Sequence, residues 1–438
     1  MAQVEIPWGN QFINLELPAN WEIVGIMQPA AISPVDNVNE ELIRSLNEPI
    51  GSGKISDLAQ GVDRVTIVVD DSSRPTPVRK IFPAVLSELE RAGVQRKQIT
   101  IVPALGVHRG ITEEELASRV GEDFIKDISW ENPDCDDPEK MVYLGTTSRG
   151  TPVWINKTTA TADLVISIGC IEPHIIASFG GGYKNILPGV AGRETIAHNH
   201  AINCRPDTFN NVGRDIEKNP MRLDLEEAGK MLRGKVFIVN AILDYQQQVV
   251  KIVSGDPILA HREGVRVSAE LYGAKVSEPV DMVITASHPM DIDLRQGVKA
   301  LANTIRAVKK GGILLTLVKA DEGTGVFGLA NRKLPLSKGA LRILAPALLP
   351  LVPRLKLKGM GEEDRFFLYF ALQAMRHARL LMYAPTIPSE VKERLPFVDF
   401  INRPEEGVIL ASKALPRNTR VLVFPHGGST PFLIISNR

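Results

Sequence analysis

Short runs rich in β-branched residues recur along this chain, separated by amphipathic helical patterns, and that alternation confines it to an α/β architecture with buried parallel strands. RVTIVVD (64–70) leads into a helical pattern over about 78–93, and QITIVPAL (98–105) follows. DLVISIG (163–169) and KVFIVNAIL (235–243) read as further strands. Past the ends of the strands at 64–70, 98–105 and 163–169 come DDSSRPTP, GVHRG and CIEPH, which are chemically unlike ordinary connections. Ligands in open α/β sheets bind outside the carboxyl ends of strands, so these loops are expected to share one crevice. The pattern restarts near Gly273 with DMVITAS (281–287), a helix over about 294–310 closed by Gly311 and Gly312, and GILLTLV (312–318). FFLYFALQAMRHARLLMY (366–383) reads as a strongly apolar helix, and RVLVFPHGGSTP as a last strand with a glycine turn.

A chain of 438 residues exceeds the roughly 250–300 at which single cores stop growing, so two α/β domains with mainly parallel sheets flanking a cleft are expected. The division falls at 1–272 and 273–412. Acidic and basic residues balance at 51 each, which removes the field that nucleic acid or an anionic membrane would require and favours a small-molecule ligand. Cys135, Cys170 and Cys204 form no CxxC pair, consistent with a reducing compartment; the first residues lack a signal-peptide pattern, so the cytoplasm is expected. The apolar stretch 340–352 is too short to span a bilayer and is broken by Pro346 and Pro350. Burial at the domain interface is its expected fate, with Arg354, Lys356 and Lys358 behind it.

The chemistry concentrates in SFGGGYKNILPGVAG (178–192). Gly180, Gly181 and Gly182 allow positive φ and close approach of a ligand to the main chain, and Lys184 follows, a combination suited to an anion or a covalently held cofactor. His174, His198 and His200 bracket the segment, and His108 lies in GVHRG. Imidazole suits proton transfer or metal ligation near neutral pH. His198 and His200 diverge on a helix, so at most one serves the site. Asp71, Ser72 and Arg74 offer groups for a phosphate or carboxylate, the plain alternative being a helix cap followed by proline. Arg295, Gln296 and Lys299 open a later helix, where a solvated face is the plain alternative. Glu172, His174 and His200 form a conceivable metal set without recognised zinc spacing.

Taken in order, DSSRPTP, GVHRG, EPHIIASFGGGYKNILPG, HNH and DLRQGVKAL resemble the nickel-dependent lactate racemase family over nearly the full length. The resemblance implies a nickel-pincer nucleotide tethered to Lys184 through a thioamide, with His200 as nickel ligand and His108 and His174 as paired acid and base. It implies that Asp71, Ser72, Arg74 and the glycines 180–182 serve the cofactor, and that Arg74, Arg295, Gln296 and Lys299 bind a 2-hydroxy acid. It further implies hydride transfer to and from the pincer, partner enzymes that synthesise the cofactor, and a tail from about 413 that returns to the first domain. Lactate-specific members have tyrosine where this chain has Arg295 and tryptophan near Phe366 or Phe367, which suggests a larger or more polar substrate, such as one with a second carboxylate. Two other readings stay open: a metal-dependent hydrolase or lyase using Glu172, His174 and His200 with no covalent cofactor, and a non-catalytic phosphate or nucleotide-binding module.

Overall fold

The computed structural model describes residues 2–434 apart from 29, 31, 73, 206–214, 277, 326, 335, 356–361 and 431. Two six-stranded sheets organise these residues. In the first, Val65–Asp70 lies between Leu164–Cys170 and Ile99–Ala104, with Lys235–Leu243 outside the former and Ser129–Trp130 outside the latter, all parallel. Val249–Gly255 closes one edge antiparallel. Val65–Asp70 and Leu164–Cys170 are buried along their whole lengths because both faces are covered, which is why they read as unbroken apolar runs.

Alternate side chains serve the two faces. Ile67 and Val69 pack with Val85 and Leu89 of the helix Val78–Arg91, whereas Val68, Val102 and Val165 pack with Tyr183, Ile186 and Leu225. The residues flanking Lys184 are therefore part of the core. Each fully buried aliphatic side chain contributes about 1.5–3 kcal/mol relative to exposure, so this segment is held as firmly as a secondary element.

The second sheet runs Asp399–Ile401, Arg379–Tyr383, Val308–Leu317, Val280–Ala286, Arg420–Phe424 and Glu22–Ile26, all parallel. The fold is mixed α/β with mainly parallel sheets. The strand membership differs from the division expected at residue 272, because the amino-terminal strand Glu22–Ile26 belongs to the second sheet. The hairpin Ala2–Trp8/Gln11–Leu17 goes with it, burying Val4, Ile6, Leu15 and Leu17 against Ile284, Leu315 and Val423. In the tail beyond about 413, Arg420–Phe424 lies in the second sheet between Val280–Ala286 and the amino-terminal Glu22–Ile26, and the turn beyond it reaches the first half where the Tyr245 and Thr430 hydroxyls meet at 2.9 Å. The last residues of the tail, 435–438, lie outside the described residues.

Three local expectations also change. The helix Leu294–Thr304 stops short of Lys310, and the strand Val308–Leu317 runs through Gly311 and Gly312. Gly311 has φ +85°, and a Cβ on Gly312 would lie 2.5 Å from the Asp281 carbonyl, so these glycines kink a strand rather than end a helix. The helix Glu362–His377 ends before RLLMY, which is the strand Arg379–Tyr383. In the helix Lys338–Leu348 and the residues after it, Leu341, Ala345, Leu349 and Val352 are buried, while Ile343, Leu344 and Leu351 remain exposed, so only one stripe of this segment is covered. Lys356 and Lys358 lie outside the described residues. Among the described residues no helix is long and apolar enough to cross a membrane.

Candidate active site

The three neighbouring strands of the first sheet deliver their following loops to one edge. Asp71 directly follows Val65–Asp70, and its Oδ2 lies 2.5 Å from Nδ1 of His108, in the loop after Ile99–Ala104. Glu172, past the end of Leu164–Cys170, forms an ion pair with Arg74 from the first loop. Burial opposes the Arg74 charge, yet the Glu172 carboxylate outweighs it and holds the guanidinium protonated. Ser72 is exposed in the same turn. The His108 loop is tied to the glycine and lysine segment by the Gly106 amide, which donates to the Gly189 carbonyl at 2.8 Å.

His174 belongs to a two-residue antiparallel pairing with Ser178. Its Nδ1 accepts from the Ala177 and Ile176 amides at 3.2 and 3.4 Å, which places the proton of the neutral ring on Nε2. Burial, and then the charges of Lys184, Arg74, Lys299 and His200, push its pKa well below the usual range, so His174 is neutral. His108 has the opposite setting, because a carboxylate faces its Nδ1 and requires the proton there, leaving the acceptor lone pair on Nε2.

The glycines do not form the open anion cradle expected of them. The Gly180 amide donates to the Glu172 carbonyl at 2.7 Å and the Gly182 amide to Asn240 Oδ1 at 2.8 Å. Gly181 has φ +74°, and a Cβ there would lie 2.6 Å from Ile171 Cγ1, so the missing side chains admit protein rather than ligand. Beneath them lies fully buried Arg222, whose Nη2 donates to the Gly181 carbonyl at 3.1 Å and to His261 Nδ1 at 2.9 Å. His261 Nε2–H donates to the Gly180 carbonyl at 2.8 Å, and Glu226 takes the Arg222 Nε–H at 2.8 Å. This clamp fixes the loop that presents Lys184. Arg222, Glu226, His261 and Asn240 escape sequence reading, since a lone Arg and Glu at i and i+4 look like a surface pair.

Lys184 lies in the 3₁₀ turn Gly182–Asn185, anchored by Asn185 Nδ2 donating to the Ile168 carbonyl at 3.0 Å. Burial, then the nearby Arg74 guanidinium, lowers its ammonium pKa from 10.5 to about 7. On the helix Arg193–Ala201 the two histidines diverge: His198 Nδ1 meets Thr151 Oγ1 at 3.1 Å, while His200 is an electrostatic neighbour of His174. His200 Nδ1–H donates to the Ile196 carbonyl at 2.8 Å, which orients the ring and puts the acceptor lone pair of the neutral imidazole on Nε2.

From the second sheet comes the helix Leu294–Thr304, capped by Asp293, whose carboxylate accepts the Gln296 amide at 2.7 Å. Lys299 comes near Arg74 and Glu172; burial, then the Arg74 charge, lowers it to about 8. Arg295 is an electrostatic neighbour of Lys299, and Arg295 and Gln296 are each half-buried. Phe366 and Phe367 are buried in the core that joins the two halves, which also holds Ile176, Ala177 and Leu294.

Residues 8–210 match the lactate racemase N-terminal domain family. A lactate racemase of Thermoanaerobacterium thermosaccharolyticum is 33% identical over 332 residues, 75% of this chain and 77% of that protein. The chain belongs to the lactate racemase family. A lactate racemase of Lactiplantibacillus plantarum is 31% identical over 331 residues, again 75% of this chain and 77% of that protein. The structure of the lactate racemase apoprotein from Thermoanaerobacterium thermosaccharolyticum is similar with a TM-score of 0.82 at 26% identity, covering 98% of this chain and all of that one. The chain is thus an isomerase, a racemase. A directly bound hydrolytic metal has no support here, because Arg74 engages Glu172 and no group of three or more His, Cys, Asp or Glu side chains among the described residues could hold a metal.

Proposed function

We propose that this racemase interconverts the stereoisomers of a 2-hydroxy acid, with His108 and His174 handling the hydroxyl proton beside a nickel-pincer nucleotide tethered at Lys184. The reading rests on the opposed setting of the two histidines, one with a lone pair on Nε2 and the other with a proton there. The residues fit the group: Lys184 has an amine that is substantially neutral near pH 7, and His200 is oriented by a backbone carbonyl, as ligating histidines commonly are. A donor set of one histidine suits a metal whose other ligands come from an organic pincer. When bound, the group would supply reversible hydride acceptance from the substrate C2.

The chain's own residues then divide the remaining work. Arg74 and Lys299 hold the substrate carboxylate, with Arg295 and Gln296 beside them, and this fixes the 2-hydroxyl between the histidines. His108 Nε2 accepts the hydroxyl proton of one stereoisomer while Asp71 stabilises the resulting imidazolium. His174 presents Nε2–H to the oxygen from the other side. Attaching Lys184 removes one of the positive charges that depress His174, and the substrate carboxylate offsets those of Arg74 and Lys299. Asp71 and Ser72 lie where the first loop meets the cofactor, and Gly180, Gly181 and Gly182 serve it indirectly by shaping the Lys184 turn. Cofactor-synthesis enzymes are the implied partners and the cytoplasm the implied setting.

Protein coexpressed with the cofactor-synthesis enzymes should convert single enantiomers of 2-hydroxy acids to racemates, followed by chiral chromatography. Failure to invert any member of a panel containing lactate, malate and branched-chain acids would overturn the proposal.

A further inference from the structure

Resting on that reading, we propose that an apolar cavity beside His174 is the subsite for the substituent on the substrate C2, and that the preferred substrate is a branched aliphatic 2-hydroxy acid. The cavity has a volume of about 70 Å³ and is lined wholly by apolar side chains. Ile175, the residue after His174, forms part of its wall, and Leu294, Val298, Leu301 and Ala302 form another part. Those four positions share one stripe of the helix Leu294–Thr304, and Arg295 and Lys299 occupy the stripe about 100° round from it. A carboxylate held by Lys299 and a hydroxyl near His174 therefore leave the C2 substituent facing the cavity. Ile175, Val298, Phe370 and Ala371 are only partly buried, so the cavity opens at its rim.

The lining decides the chemistry. No charged or hydrogen-bonding side chain faces the space, so a second carboxylate there would lose its hydration with nothing in exchange. This outweighs the polar substituent suggested by Arg295, which does not line the cavity. Size narrows the class further: a cavity of roughly 150 Å³ accommodates benzene, so about half that volume suits three or four carbons in a branched arrangement. A methyl group would leave most of it empty.

With cofactor-loaded protein, kcat/KM for 2-hydroxy-4-methylpentanoate should exceed that for lactate by on the order of 10–50-fold, the value expected for burying three added carbons, and malate should be the poorest. Ala371→Leu, which fills the rim, should cut the branched-to-lactate ratio at least about tenfold. Preference for lactate or malate would overturn the subsite while leaving the racemase function intact. If no acid is turned over, that function fails and calorimetry still decides the subsite: 4-methylpentanoate must bind more tightly than propanoate, and less so to the Ala371→Leu protein. Equal affinity would overturn the inference.

Discussion

His108→Asn is expected to lower kcat/KM for racemisation by roughly 10²–10⁴-fold, the usual contribution of a positioned acid–base group. The substituted amide keeps a donor near the position of Nδ1 for Asp71 but has no basic nitrogen to take the proton of the substrate hydroxyl. Asp71→Asn should cost less, about 10–10²-fold, because it removes the charge opposite His108 Nδ1 but not the base itself. The double variant should be no worse than His108→Asn by more than a few-fold, since the carboxylate acts through the imidazole. Steady-state kinetics on loaded enzyme in both directions checks this. A His108→Asn enzyme within about tenfold of the parent would remove His108 from the proton path.

In the protein without cofactor, acylation of Lys184 by a small amine-directed reagent should rise with pH through a midpoint of about 7 instead of about 10.5. Only the neutral amine reacts, and with half of it neutral at the midpoint the reactive fraction exceeds that of an ordinary lysine by about a thousandfold. The folded chain gives up this proton more readily than the unfolded chain. Lys184 therefore makes stability rise as pH goes from about 7 to 10.5, and its buried charge opposes folding below that window. Peptide mapping of the labelled protein over pH 5–10 reads the midpoint. Labelling that follows an ordinary lysine curve would contradict the buried, Arg74-flanked environment.

The strands of the first sheet and the positions of Asp71, His108 and His174 after them were legible because a buried parallel strand writes itself as a continuous β-branched run, and chemically unusual loops stand out at its end. Lys184 was legible through its glycine neighbours, although for an incomplete reason. In sequence Gly180–Gly182 resemble a surface for ligand, whereas Arg222, His261 and Asn240 occupy two of their carbonyls and one of their amides. Those partners lie about 40–80 residues away in sequence, and no local pattern distinguishes a buried Arg222–Glu226 pair from a solvated one. Glu22–Ile26 beside Arg420–Phe424 was invisible for the same reason, since parallel pairing between opposite ends of a chain leaves no turn signal. The exposed stripe of Lys338–Leu348 went unread because amphipathicity locates the buried face but not what covers the other.

Intact-mass spectrometry of the protein coexpressed with cofactor-synthesis enzymes reads the proposed attachment at Lys184. A single mass increment is expected that maps to the peptide containing Lys184 and is absent from the Lys184→Ala protein. An unmodified Lys184 in protein that racemises a 2-hydroxy acid, or an increment that persists in Lys184→Ala, would contradict it.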